Sequence, residues 1–299
     1  MNLAEVFIDV LLPIFLIFGM GVILGKKKNP EPHSLAHLSI YILLPSLVFT
    51  SFLDKNILSS LAVIGVFIVA FTGIMYVISW SVCNVLHMER GLQSGFLLAV
   101  LFTNSGNYGV PLCTFAFGEE GMVNALAYMM YGSVIMYTVA VFIASRGNLN
   151  VKKSFTNIFK VPLIYAVVIA AFFSYFSIGV PSFVVKPLAL LGSAAIPVTM
   201  LLLGIQLSRA EVGKQKKVIA ASVFRLCVSP LVGIVLTYVM GVEGILRSVL
   251  ILECSMPTAV NSALIAIEFD AEPGFVSSAV LVSTVLSIGS LAVLLLYVT

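Results

Sequence analysis

Residues 104–111 read Asn104-Ser105-Gly106-Asn107-Tyr108-Gly109-Val110-Pro111, and they interrupt an apolar stretch that runs from 92 to 117. A second apolar stretch, 244–268, is interrupted in the same way by Met256-Pro257-Thr258-Ala259-Val260-Asn261. A proline inside a helix removes one backbone hydrogen bond and crowds the preceding turn, and glycines loosen the backbone further. Gly106, Gly109 and Pro111 together therefore predict that the first stretch unwinds near mid-membrane, and Pro257 predicts the same for the second. Unwound backbone at that depth is tolerated only where protein buries it or it lines a wet cavity. The two prolines are 257 − 111 = 146 residues apart in a chain of 299. Matched interruptions in two halves of a membrane chain point to a transporter binding site.

Composition sets the solvent. The chain is 60% hydrophobic and 10% charged, with a mean hydropathy of +1.13. Soluble domains carry about 25% charged residues, so this surface is matched to a lipid bilayer. Runs of about 20 apolar residues mark membrane-spanning helices, and ten are expected: 5–25, 34–52, 60–82, 92–117, 122–144, 161–180, 183–207, 218–239, 244–268 and 275–298. The fold class is an all-α membrane protein. Residues 1–9 hold Glu5 and Asp9 but no Lys or Arg, so the first span does not read as a cleavable signal. The net charge of +3 comes from loop clusters, which argues against a nucleic-acid partner. Cys83, Cys113, Cys227 and Cys254 show no C-x-x-C spacing and read as apolar packing residues.

Charge also sets orientation. With the N-terminus outside, the cytoplasmic loops hold Lys26, Lys27, Lys28, Arg90, Arg146, Lys152, Lys153, Lys160, Arg209, Lys214, Lys216 and Lys217, against Lys55, Lys186 and Arg247 opposite. By the positive-inside rule this places both termini outside the cytoplasmic membrane. Five spans per half is an odd number, so the halves, 1–144 and 161–299 around a cytoplasmic linker at 145–160, have opposite topology. Prolines support that repeat: Pro13 answers Pro162, Pro45 answers Pro197, and Pro111 answers Pro257. The expected architecture is two inverted five-helix repeats in which the broken fourth and ninth spans cross.

Crossing breaks bring two half-helix N-termini to one point, which makes an anion site without a buried Lys or Arg. The opposing C-termini could instead attract a cation. The candidate substrate-binding residues are Asn104, Gly106, Asn107, Tyr108 and Pro111 in the first break, and Pro257, Thr258 and Asn261 in the second. Pro45, Ser46, Tyr131 and Gln206 are candidate contributors from neighbouring spans. Glu253, one turn before Pro257, is a candidate proton or coupling-ion site, because intramembrane carboxylates are functional candidates by default. Arg225 reads as a side chain snorkelling to the interface, with a salt bridge to Glu253 or Glu268 as the alternative. Asp9 and His37 read as interfacial, and Gly21-x-x-x-Gly25 fits close helix packing. The chain lacks H-E-x-x-H, G-x-S-x-G and G-x-x-x-x-G-K-[ST], so it does not read as an enzyme. His33, His37 and His87 are not spaced as metal ligands, and neither a metal nor an organic cofactor is expected.

The string from Asn104 to Leu112 resembles the signature N-x-G-N-x-G-x-P-L of the auxin efflux carrier family. Met256 to Ser262, followed by Glu268-Phe269, resembles that family's second crossover. VLLPIFLIFGMGVILGKK at 10–27 and LSIYILLPSLVFTSF at 38–52 extend the resemblance over most of the chain. It implies the fold of bile-acid symporters and sodium/proton antiporters. Spans 1, 2, 6 and 7 would form a scaffold that dimerises, and spans 3–5 and 8–10 an elevator-type transport domain. It also implies a small organic carboxylate as substrate, auxin-like or of the malonate or malate class, with Asn104 or Asn107 on its carboxylate. Glu253 departs from the uncharged residue many relatives carry there. That leaves room for a sodium- or proton-coupled carrier or antiporter as the alternative to secondary active or uncoupled anion transport.

Overall fold

A computed structural model describes residues 3–28, 30–53, 58–145, 162–209 and 216–299. The linker expected at 145–160 falls outside them from residue 146 on, as do Lys55 and Lys214. The described residues are helical throughout, with no strand among them beyond a single antiparallel bridge between Thr103 and Thr258. In chain order the helices are α1 (Val6–Lys28), α2 (Pro32–Leu53), α3 (Leu58–Val85) and α4 (Arg90–Leu101), followed by α5 (Ser105–Ala144) and α6 (Pro162–Tyr175). Then come α7 (Ser182–Ser208), α8 (Lys216–Val239), α9 (Gly244–Cys254), α10 (Val260–Glu268) and α11 (Pro273–Val298). Gly118 (φ 62°, ψ −146°) divides α5 into 105–117 and 119–144. Only glycine adopts that backbone readily.

Among the described residues seven helices are long and apolar enough to cross a membrane, namely α1, α2, α3, α5, α7, α8 and α11. Their outward faces carry large apolar side chains such as Leu16, Val66, Leu231 and Val293. The chain is a multi-pass membrane protein, since such faces are stable only against lipid.

Three of the prolines act on their helices in the same way. Widened π-helical turns cover Val6–Leu11, Ser39–Leu43 and Ser105–Gly109, each ending two residues before Pro13, Pro45 and Pro111 respectively. A proline ring clashes with the carbonyl four residues back, and widening the turn upstream relieves that clash without ending the helix.

Two clusters of packing emerge. α1 lies along the second half of α7, and α2 lies against α6 and the first half of α7. α8 packs on α11 and α9, α9 on α5, and α3 on α4 and α5. The contact between α1 and α7 is backbone on backbone. A Cβ at position 204 would fall on the Phe18 carbonyl oxygen and 2.9 Å from the Gly21 Cα. One turn on, a Cβ at Gly25 would fall on the Ser208 hydroxyl. The Gly21-x-x-x-Gly25 pair read from the sequence thus meets Gly204-x-x-x-Ser208, and small residues on both sides let the helices approach closely. Gly204→Val is expected to lower stability by about 1–3 kcal/mol through overpacking. Gly19→Val, where a Cβ would meet nothing within 4 Å, should leave the thermal unfolding midpoint in detergent close to wild type. Equal midpoints for the two variants would show that the close approach is not needed.

Candidate functional site

The site is built where the two apolar stretches lose helical backbone. The first gap, 102–104, separates α4 from α5, and Phe102 there is extended (φ −104°, ψ 126°). The second, 255–259, separates α9 from α10, and Ala259 is extended as well (φ −64°, ψ 136°). The second gap holds Pro257 as the sequence predicts. The first lies ahead of the predicted position: only Asn104 of the interrupting string is in it, and Pro111 sits inside α5, two residues after its widened first turn.

The two gaps satisfy each other. The Asn104 N–H donates to the Pro257 carbonyl at 2.9 Å, and the Ala259 N–H donates to the Phe102 carbonyl at 2.9 Å. The Thr258 hydroxyl donates to the Ala99 carbonyl at 2.7 Å, and the Thr258 N–H to the Ser283 hydroxyl on α11 at 3.0 Å. The Asn104 carbonyl in turn accepts from the N–H groups of Tyr108 (3.3 Å) and Gly109 (3.1 Å), starting α5.

Arg225 holds the other side of the crossing. Its side chain is wholly buried in α8, so it does not snorkel. Nε donates to the Met256 carbonyl at 3.0 Å, Nη2 to the Cys254 carbonyl at 3.3 Å, and Nη1 to the Val100 carbonyl. These carbonyls lie at the C-terminal ends of α4 and α9, where helices leave acceptors unpaired and carry partial negative charge. Neither Glu253 nor Glu268 accepts a hydrogen bond from Arg225 among the described residues.

Glu253 is also wholly buried, in the last turn of α9. Its carboxyl group fills the space that a Cβ at Gly109 would need. Oε1 accepts a hydrogen bond from the Cys113 thiol at 3.8 Å, and Oε2 has no protein partner.

A cavity of about 290 Å³ opens beside the paired gaps. Of the predicted site residues, Asn104, Gly106, Asn107 and Asn261 line it. The Asn104 side chain is 4% exposed and its Nδ2 has no partner among the described residues. Tyr108, Pro111, Pro257 and Thr258 do not line it. The Tyr108 ring packs edge-on against Phe18, 5.2 Å between centroids, and ties the first turn of α5 to α1. Of the candidate contributors only Gln206 reaches the cavity, where its Oε1 is also unpartnered. Pro45, Ser46 and Tyr131 do not. The sequence reading missed His33 and His37, whose rings lie 4.0 Å apart between centroids at a tilt of 53° and line the same cavity. Their spacing of four residues, one helical turn, was the signal.

The arrangement makes Arg225 the test of the crossing. Arg225→Met is expected to leave three buried carbonyls short of a donor, at about 1–3 kcal/mol each. That should lower the thermal midpoint more than any single cavity-lining substitution, with Arg225→Lys recovering part of the loss. A midpoint unchanged in Arg225→Met would refute this role.

The family described as membrane transport protein matches residues 6–295. An uncharacterized transporter from Methanothermobacter thermautotrophicus is 32% identical, over 97% of each chain. An uncharacterized transporter from Methanocaldococcus jannaschii is 28% identical, over 94% of this chain and 95% of the other.

Proposed function

The chain belongs to the membrane transport family of the auxin efflux carrier type, and from that premise we propose that it moves a small organic carboxylate across the cytoplasmic membrane. It is a transporter and not an enzyme. One observation carries the substrate class: Asn104, whose buried Nδ2 has no partner among the described residues, lines a cavity that also takes in the start of α10. Val260 and Asn261, the first residues of α10, line that cavity. A helix N-terminus presents free N–H groups and partial positive charge. The C-terminal ends of α4 and α9, which would favour a cation, are already held by Arg225. What remains open to a ligand is therefore matched to an anion. The cavity is at the small end of ligand pockets, which favours a compact acid of the malonate or malate class, with an auxin-like acid as the upper limit of size.

The mechanism we propose is elevator-type alternating access. Ten spans in two inverted repeats, 1–144 and 161–299, are obtained when α4 with residues 105–117 counts as one broken span and α9 with α10 as another. The packing of α1, α2, α6 and α7 among themselves supports a scaffold, and a homodimer would join through it. α3, α4, α5 and α8–α11 would carry the crossing past that scaffold. Lys26, Lys27 and Lys28 in the last turn of α1, with Lys216 and Lys217 opening α8, favour cytoplasmic loops there and both termini outside. A sodium- or proton-coupled carrier of the same fold is the second reading, favoured by the buried Oε2 of Glu253 that no group satisfies.

Malonate, malate, lactate and indole-3-acetate are the probes. A ligand of the folded state raises the thermal midpoint in proportion to its concentration over Kd. Asn104→Ala should weaken binding of the stabilising acid about 10- to 100-fold, the loss of one hydrogen bond to a charged group. Asn107→Ala tests the second amide of the same turn. Unchanged affinity in both variants, measured by calorimetry, would overturn the placement of the carboxylate.

A further inference from the structure

Glu253 and Arg225 are the two side chains of the Asp, Glu, Lys and Arg type that are wholly buried among the described residues, yet they do not pair. Arg225 spends its donors on the carbonyls of Val100, Cys254 and Met256. Glu253 is left with a thiol on Oε1 and nothing on Oε2. An ionised carboxylate in that position would cost several kcal/mol with no counter-ion to offset it. A buried carboxyl oxygen without a partner calls for a functional explanation.

We infer that Glu253 is the coupling site of the carrier, that the ion it binds is a proton, and that the proton travels together with the carboxylate. The inference rests on the anion-carrier reading above. Three observations support it. First, the surroundings do not suit a metal cation. Sodium in broken-helix transporters is held by unwound carbonyls and helix C-terminal ends, and here Arg225 occupies those ends. The carboxyl accepts from the Cys113 thiol and lies against Gly109.

Second, the carboxyl touches the element that binds the anion. It fills the place of a Cβ on Gly109, and the Gly109 N–H donates to the carbonyl of Asn104, a residue that lines the cavity. A negative charge on Glu253 therefore opposes an anion beside Asn104, and protonation removes the opposition. Coupling of two sites is reciprocal, so the anion favours the protonated acid to the same degree. Third, no other group is placed to cancel the charge. The titratable groups that neighbour Glu253 are Cys113 and Tyr128 on α5 and Cys254 on α9 itself. Two thiols and a phenol supply no positive charge, and Arg225 on α8 gives its donors to backbone carbonyls.

The balance of the step is simple. A proton from water on the side of entry forms the O–H bond on the Glu253 carboxyl as the carboxylate enters the cavity. The same bond breaks on the far side, and the proton returns to water as the anion leaves. One proton accompanies one anion, so a dicarboxylate such as malonate crosses with one net negative charge.

Two measurements on the purified full-length protein test this, and one needs no substrate. Infrared spectra should contain the carbonyl band of a protonated carboxylic acid that Glu253→Gln removes. A wild-type spectrum without the band, or a band that Glu253→Gln leaves in place, overturns the proposal. The second is malonate affinity against pH, above the range in which malonate itself titrates. A single linked proton predicts that wild-type affinity falls by up to tenfold per pH unit. Glu253→Gln should flatten the slope, and Glu253→Asp, which keeps a titratable group, should restore part of it. A pH-independent wild type, an unchanged slope in Glu253→Gln, or tighter malonate binding on adding sodium each overturns it. If malonate does not bind at all while the infrared band is lost in Glu253→Gln, the choice of anion fails and the proton site stands.

Discussion

The structure depends on the mutual pairing of two stretches of extended backbone. Thr103 and Thr258 sit opposite one another, and the N–H groups of Asn104 and Ala259 reach across to the carbonyls of Pro257 and Phe102. In lipid there is no water to receive a freed N–H or C=O, and each one left unpaired costs several kcal/mol. A single break in a single helix would have no remedy here. Two breaks that meet can each supply what the other lacks. Pro257 suits this geometry because only its carbonyl is needed. Neither half of the crossing is stable without the other, which fixes the relative placement of elements more than 150 residues apart.

Pairing of the gaps still leaves the helix ends, and their charges explain why the ionisable residues stand where they do. α4 and α9 both end at the crossing, and Arg225 supplies three donors to carbonyls at those two ends. A planar guanidinium with five donors in a fixed fork can do this, where an ammonium could reach fewer acceptors. α5 begins at the crossing, and the carboxyl of Glu253 lies on its first turns at Gly109 and Cys113. The starts of both α5 and α10 line the cavity, through Ser105, Gly106 and Asn107 on one and Val260 and Asn261 on the other. Arg225 thus attends to the two C-terminal ends, and the two N-terminal ends border the space proposed for a ligand.

Much of this was legible in the sequence, for physical reasons that also mark the limit. Gly and Pro report backbone that cannot continue as ordinary helix, so the existence of both interruptions and the place of the second could be read directly. The first was displaced because glycines permit irregular backbone without requiring it. Residues 105–109 take up a widened turn instead, and Pro111 follows that turn inside α5. Asn104, Asn107 and Asn261 were found because polar groups stand out in an apolar run. Arg225 was misplaced because its partners lie 29, 31 and 125 residues away. Local sequence supports snorkelling equally well until the third dimension is known. The contribution of His33 and His37 depended likewise on which way one turn of α2 faces.

Gly109 shows how closely the two functions of the crossing are joined. Glycine there was read as a source of backbone freedom, but the residue is helical and needs none (φ −65°, ψ −52°). What the position requires is the absence of a side chain, since a Cβ would overlap the carboxyl oxygens of Glu253. With that space open, an acid on α9 rests against the backbone turn that Asn104 caps. Any larger residue at 109 would move the carboxyl away from that turn. Under the proposed coupling, the glycine is as much a part of the device as the glutamate it accommodates.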